Sequence, residues 1–232
     1  MKKLFNEAGF YLTDKELNDF TEFKDLILEY NKVMDITNIT EEDEISYKHF
    51  IDSLESKLAK VDFNNKKMID VGTGGGFPGI PLKIMHQDLE LTLLDSLNKR
   101  IRFLDVVIEK LNLSKTQAIH GRAEELARQK EFREQYDIVI SRAVANLATL
   151  TEYCLAFIKP GGVFVSMKGP NYEEELAQAR NAIDTMGGKL KEVIPYTLPD
   201  EQGERTLIVI EKTRPTPAKY PRGQGKPRNK PL

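Results

Sequence analysis

The chain is short of the residues that build metal and redox centres. Its 232 residues include one cysteine, Cys154, which excludes an internal disulfide and a multi-cysteine metal site. The three histidines, His49, His86 and His120, stand far apart with no Cys/His cluster around them. No structural zinc, and no other metal, is expected. Long apolar runs are missing too: no window approaches the ~18 apolar residues of a membrane span. The apolar stretch behind Met1-Lys2-Lys3 ends after Leu4-Phe5, too short for a signal peptide. A cytoplasmic protein with no membrane partner, acting as a monomer, is the expectation. Acid is absent from Lys212 to Leu232, a stretch holding seven basic residues. The whole chain carries −2, so the part ahead of Lys212 carries −9. A basic tail on an acidic body points to a polyanion, with a solubilising terminus as the alternative.

What is present describes an ordinary soluble mixture, 40% apolar and 30% charged. The length suits one full domain with a small attachment, able to bury a sizeable core. Residues 1–60 read as a helical region. Thr13 to Glu16 has the form of a capping box. Leu17, Phe20, Phe23, Ile27, Tyr30 and Met34 follow at helical spacing as a core-facing stripe. Thr40 is placed to cap a second helix that opens on the acidic run Glu41 to Glu44 and carries His49, with Asp52 three residues on as a hydrogen-bonded structural partner.

From residue 61 the period changes. Seven β runs are expected: Met68–Val71, Leu89–Leu94, Gln117–His120, Asp137–Ser141, Gly162–Met167, Leu190–Thr197 and Arg205–Glu211. Helices are expected over Ile101–Leu113, Glu124–Lys130, Leu147–Ile158 and Glu173–Met186. This alternation predicts an α/β domain over 61–211, a mostly parallel seven-stranded sheet with helices on both faces, behind an N-terminal helical extension. The tail, 212–232, holds five prolines and is expected to be extended or disordered.

The first β run ends in Asp70-Val-Gly72-Thr-Gly74-Gly-Gly76-Phe-Pro-Gly79. Glycines there let a backbone approach a ligand and accept positive φ. Asp95 closes the second run, where a carboxylate can accept ribose hydroxyls of an adenosine. The spacing Gly74-x-Gly76-x-x-Gly79 formally fits a dinucleotide. Asp70, just ahead of the first glycine, would repel a pyrophosphate but suits the ammonium of S-adenosylmethionine (SAM). SAM is therefore favoured, with NAD and a ligand-free turn left open.

The blocks together go further. Asp70-Val-Gly-Thr-Gly-Gly-Gly-Phe-Pro-Gly-Ile-Pro-Leu82, Leu94-Asp-Ser-Leu-Asn-Lys-Arg-Ile-Arg-Phe-Leu104, Gly121-Arg-Ala-Glu-Glu125 and Ser141-Arg-Ala-Val-Ala145 occur in that order. Asn31 to Thr40 and His49-Phe-Ile-Asp-Ser-Leu54 stand upstream. Over essentially its whole length the chain resembles the bacterial RsmG/GidB family, the ribosomal RNA small subunit methyltransferases G. Tyr30 stands where that family often has Trp. The resemblance implies a class I, Rossmann-like SAM-dependent methyltransferase. It implies SAM as donor and N7 of one guanine of 16S rRNA, near the decoding site, as acceptor. The RNA would be met in the small ribosomal subunit or an assembly intermediate. By matching motifs, Gly72 and Phe77 line the cofactor, Asp95 holds its ribose, Ala123 and Glu124 flank its adenine, and Arg142 closes the site.

Methylation of N7 needs no general base, because that lone pair carries no proton. The work is alignment of N7 and methyl at about 3–3.5 Å, and no acid or base is assigned; Arg142 is a positioning residue. The Asn/Asp-Pro-Pro-Tyr/Phe tetrad of exocyclic-amine methyltransferases is absent, and Cys154 is core filler. Arg142 could meet the cofactor carboxylate or an RNA phosphate. Lys99, Arg100 and Arg102 open a helix at the dipole's unfavourable end, which suggests RNA phosphate. Arg122 and Lys168, both after strands, are further candidates. Arg222, Lys226 and Arg228 of the tail complete the expected RNA contacts, with cofactor binding independent of the tail. A small-molecule methyltransferase is the alternative.

Overall fold

The computed structural model describes residues 1–142 and 145–232, Glu201 by its backbone alone. Ala143 and Val144, part of the Ser141–Ala145 motif, lie outside the described residues. Two helices open the chain, α1 (Lys2–Glu7) and α2 (Asp14–Met34). The capping box forms: the Glu16 amide donates to Thr13 Oγ1 at 3.3 Å, and the Thr13 amide donates to the Glu16 carboxylate at 2.7 Å. The α2 stripe buries Phe20, Phe23, Leu26 and Ile27.

Thr40 does not cap the next helix. α3 (Glu42–Ile45) starts two residues later without a side-chain cap, its acidic first turn meeting the positive end of the dipole. The chain then widens into a π-helical turn (Ser46–Ile51) before α4 (Asp52–Leu54) and a 3₁₀ stretch (Glu55–Ala59). Such widening is frequent at functional sites, and here it carries His49.

The α/β part runs β1 (Lys67–Val71), α5 (Gly79–Met85), β2 (Glu90–Asp95), α6 (Asn98–Lys110), β3 (Thr116–His120), α7 (Ala123–Leu126), β4 (Tyr136–Arg142), α8 (Leu147–Leu155), β5 (Ile158–Lys168), α9 (Glu173–Thr185), β6 (Gly188–Thr197) and β7 (Glu204–Lys212). All seven expected strands form one sheet in the order β3-β2-β1-β4-β5-β7-β6. β1 to β5 are parallel, and β7 runs antiparallel between β5 and β6. α8 stops earlier than expected because Ile158 already pairs with Tyr136 in the sheet.

Successive strand residues divide between two cores, as the two-residue period of a doubly covered strand requires. Met68, Ile138, Ile140, Val165 and Met167 face the N-terminal helices. Ile69, Val139 and Phe164 face α8 and α9, with fully buried Cys154. The chain winds outward through β2 and β3, then returns to place β4 beside β1. That reversal opens a crevice at the carboxyl ends of the strands, where the glycine loop, Asp95 and Arg142 all lie.

The tail departs from the sequence expectation. It is folded back along α8 and ends in α10 (Lys226–Asn229). Its proline-rich carbonyls accept hydrogen bonds: Arg128 Nε donates to Pro221 at 2.8 Å, and Arg133 donates to Tyr220 at 2.7 Å and to Thr216 at 2.8 Å. Lys212 is fully buried, with its ammonium donating to the Leu155 carbonyl at 2.6 Å and lying 3.3 Å from Glu134. Arg214 pairs with Asp184 at 2.6 Å. Arg222 grips the fully buried Glu152 through Nε and Nη2, the latter at 2.7 Å. Lys212 and Arg222 thus spend their charge on acids of the body, while the Arg214–Asp184 pair stands at the surface. Arg222→Ala leaves Glu152 buried without its partner. An unfolding free energy lower by about 3 kcal/mol is expected, read from a reduced urea midpoint at unchanged slope. An unchanged midpoint would remove this pair from the forces that hold the tail.

Candidate active site

The glycine loop is pinned to the neighbouring strand by its own backbone. The Gly72 and Thr73 amides both donate to the Leu94 carbonyl, at 2.8 and 3.1 Å. Gly72 and Gly76 have φ of +72° and +96°, and a Cβ on Gly76 would stand 2.6 Å from Ile80. Both the backbone and the space therefore demand glycine at Gly76.

Asp70 is fully buried and braces this loop. Its Oδ2 accepts from Thr73 Oγ1 at 2.7 Å and from the Gly79 amide at 2.8 Å, while Oδ1 has no partner among the described residues. Burial raises its carboxyl to about 7 against the pull of those bonds. It lines neither cavity described below. The bonds from Thr73 and Gly79 engage Oδ2 alone, so Asp70 braces the loop from within the fold. Gly74 likewise lines neither cavity, but its amide donates to Asp95 Oδ2 at 2.9 Å.

Two cavities open at the carboxyl edge and share Ala145 as a wall. The first, about 560 Å³, lies between the glycine loop, the end of β2 and the start of α7. Gly72, Asp95, Ala123 and Glu124 line it, as expected. Asp95 and Glu124 are only 3% and 4% exposed. Asp95 Oδ1 accepts from the Leu97 amide at 2.9 Å, and Oδ2 also accepts from Arg100 Nη1 at 3.2 Å. Arg100 is thus an internal partner of the site rather than a free cation. The volume, the glycine floor, two buried carboxylates and the apolar Leu94, Leu97 and Tyr153 fit an adenosine moiety. Burial and nearby Glu124 raise the Tyr153 phenol.

The second cavity, about 640 Å³, lies between the π-helical turn and the ends of β4 and β5. Arg142 lines this one. It donates to Asp52 Oδ2 at 2.8 Å, to the Lys48 carbonyl at 3.0 Å and to His49 Nδ1 at 3.1 Å. A guanidinium only donates, so His49 Nδ1 must accept, the proton sits on Nε2, and Nε2–H donates to Thr37 Oγ1 at 2.7 Å. The expected direct His49–Asp52 pair is replaced by one bridged through Arg142. The His49 ring stacks on Phe77 with centroids 4.3 Å apart, and Arg142 lies 5.2 Å over the same ring. Phe77 thus supports the second cavity from below. Asp52 Oδ1 accepts from Tyr196 at 2.8 Å.

Among the expected RNA contacts, Lys168 is committed: its ammonium donates to the Ala145 carbonyl at 2.6 Å and pairs with Glu175 at 2.7 Å. Arg222 is held by Glu152, and Lys99 stands 3.8 Å from Asp35. Arg102, Arg122, Lys226 and Arg228 are exposed, and Arg122 and Arg228 also line the first cavity. Sequence reasoning missed Lys48, Arg205 and Tyr196 around the second cavity. It also missed the tail residues Gln224, Gly225 and Asn229 at the first.

Desolvation, with Arg142 alongside, lowers the His49 imidazole to about 3. The unfolded chain takes this proton near pH 6.5 and the folded chain only near 3, so the unfolded state binds more protons between those values. Stability contributed by neutral His49 is present above about pH 6.5 and is lost as pH falls toward 3. The urea midpoint of the wild type is expected to drop more steeply from pH 7 to pH 5 than that of His49→Gln. Parallel pH profiles would contradict a buried neutral imidazole.

Comparison with known proteins identifies the family and the fold. The family model described as rRNA small subunit methyltransferase G matches residues 16–203. A protein of Alkaliphilus metalliredigens named ribosomal RNA small subunit methyltransferase G is 48% identical, over 97% of this chain and 95% of its own length. One of Clostridium tetani with the same name is also 48% identical, over 98% and 95%. Among solved structures, TrmN from Thermus thermophilus aligns with a TM-score of 0.55 at 18% identity, over 68% of this chain and 47% of that one. TYW2 from M. jannaschii in complex with AdoMet aligns with a TM-score of 0.53 at 17% identity, over 68% and 74%. These neighbours share the class I methyltransferase fold. With a family match across the helical region and the crevice together, and near-half identity over almost the full length, the chain belongs to the rRNA small subunit methyltransferase G family.

Proposed function

We propose that this chain transfers the methyl group of SAM to N7 of one guanine in 16S rRNA, near the decoding site, working on the small ribosomal subunit or an assembly intermediate. The observation that carries the reading is the pair of cavities meeting at Ala145. One is walled by buried carboxylates suited to adenosine, and the other is framed by Arg142, His49 and Asp52. Family membership supports the small-subunit rRNA as substrate, and the resemblance of the motifs to that family implies the N7 atom.

SAM brings an electrophilic methyl on a sulfonium that is already a good leaving group. The protein's part is to hold and align. Asp95 offers an acceptor for the ribose hydroxyls, Ala123 and Glu124 flank the adenine, and the glycine loop leaves room for the backbone to approach. The second cavity receives the base, splayed from its neighbours. A guanine becomes cationic as N7 takes the methyl, so a charged imidazole beside it would oppose the reaction. His49 is neutral, and the charge of Arg142 is balanced by Asp52. The exposed cations Arg102, Arg122, Lys226 and Arg228 are available to meet phosphate, Arg122 and Arg228 at the first cavity.

The test is methyl transfer from labelled SAM to small-subunit particles and naked 16S rRNA lacking the modification, followed by borohydride and aniline cleavage at 7-methylguanine. One cut is expected. Label without a cut would move the acceptor off N7, and no label in either RNA would favour a small-molecule acceptor. Arg142→Lys keeps the charge opposite Asp52 but loses the planar fork. Methyl transfer slower by about 100-fold is expected, from misplacement of the base, with the SAM dissociation constant changed less than twofold. A matching loss of SAM binding would return Arg142 to the cofactor side.

A further inference from the structure

Arg222, Lys226 and Arg228 of the tail are expected from sequence to meet RNA, with cofactor binding independent of the tail, yet four tail residues line the first cavity. Gln224, Gly225, Arg228 and Asn229 line it together with Gly121, Ala123 and Glu124. They are held there by contacts that do not involve the cavity. Arg222 is fixed on buried Glu152, its Nη2 also donating to the Lys230 carbonyl at 2.9 Å. Thr149 Oγ1, in α8, donates to the Pro227 carbonyl at 2.9 Å, and Pro227 itself is buried. Gln224 and Gly225 both adopt positive φ, +60° and +67°, turning the chain sharply into α10. The segment is thus built to present a short stretch of side chains at one place. Asn229, Gln224 and Arg228 are exposed, so the core does not explain their position.

We propose that the tail, through Gln224, Arg228 and Asn229, is a wall of the cofactor site and contacts the adenine of SAM. The inference rests on the reading of the first cavity as the SAM site. Its chemistry is specific to that end of the ligand. A side-chain amide pairs with the donor and acceptor edge of an adenine, and a guanidinium plane stacks on an aromatic ring. The start of α7, with Ala123 and Glu124, lines the same cavity. SAM retention and the tail's docking are then linked, and each favours the other.

Two variants and one protection experiment test this. A chain ending at Arg222 keeps the Arg222–Glu152 pair and everything upstream. The double variant Gln224→Ala/Asn229→Ala removes only the amides. Equilibrium dialysis with labelled SAM is expected to show binding weakened at least tenfold in the shortened chain and about threefold or more in the double variant. S-adenosylhomocysteine, which shares the adenosine but not the sulfonium, should weaken equally. Saturating SAM should also slow tryptic cleavage after Arg228 of the wild type. SAM affinity unchanged in both variants, with the wild type binding normally, would overturn the tail assignment alone. Affinity lost for SAM but kept for S-adenosylhomocysteine would overturn the adenine contact. A wild type that binds no SAM would sink the proposed function and this inference together.

Discussion

The contact between Arg142 and Asp52 ties the active site together. Arg142 ends β4, and Asp52 starts a helical turn from the N-terminal region, 90 positions away in the chain. Their bond of 2.8 Å is one of several on the same two groups: Arg142 also serves the Lys48 carbonyl and His49, and Asp52 also accepts from Tyr196 of β6. An isolated ion pair that is taken out of water gains little, because desolvation offsets the attraction. Here both groups have further partners, Arg142 in Lys48 and His49 and Asp52 in Tyr196, the condition under which such a pair is tolerated. What it secures is geometry. It sets the tautomer of His49, flattens that ring onto Phe77 and so connects the glycine loop to the helices that cover it.

That linkage explains why the helical region is not an appendage. Its apolar side chains and one face of the sheet form a single core, from Phe5 and Phe20 through Phe50 and Phe77 to Ile140 and Val165. The aromatic chain is continuous: Phe5 touches Phe20, Phe20 touches Phe50, and Phe23 reaches Phe77 at 5.5 Å between centroids. The second cavity has one wall from each part of the chain. A class I sheet alone would supply the first cavity and leave the acceptor side open.

The strands and their order of use were legible in the sequence because a doubly covered sheet writes itself as apolar runs closed by turns. The glycine loop, Asp95, Ala123 and Glu124 were legible for a related reason: each follows a strand end, and strand ends converge at the switch point. Three things were not. Arg142 sits at the expected edge, but which cavity it faces depends on Asp52, remote in sequence. Asp70 reads as a ligand by position, and its bracing bond from the Gly79 amide nine residues on is not visible there. The tail reads as disordered from proline and charge alone. That reading fails because Glu134, Glu152, Asp184 and the donors of Arg128 and Arg133 are waiting for it. Composition counts charges but does not show whether they are already paired.

The pairing pattern also bears on how the chemistry is run. Every nitrogen of His49 is occupied, one by Arg142 and the other by Thr37, and burial keeps the ring neutral far below physiological pH. Such an imidazole can neither take up nor deliver a proton without breaking the network that places it. Lys168 is likewise engaged by Glu175, and Asp70 is enclosed by its loop. Among the described residues, His49, Asp52, Lys168 and Glu175 around the second cavity are all engaged by partners, and none is a free general base. For most methyl acceptors this would be a defect, since an amine or hydroxyl must lose a proton on the way to product. For a ring nitrogen with a free lone pair it is no handicap: the residues are free to be rigid, and rigidity is what alignment of an in-line transfer requires.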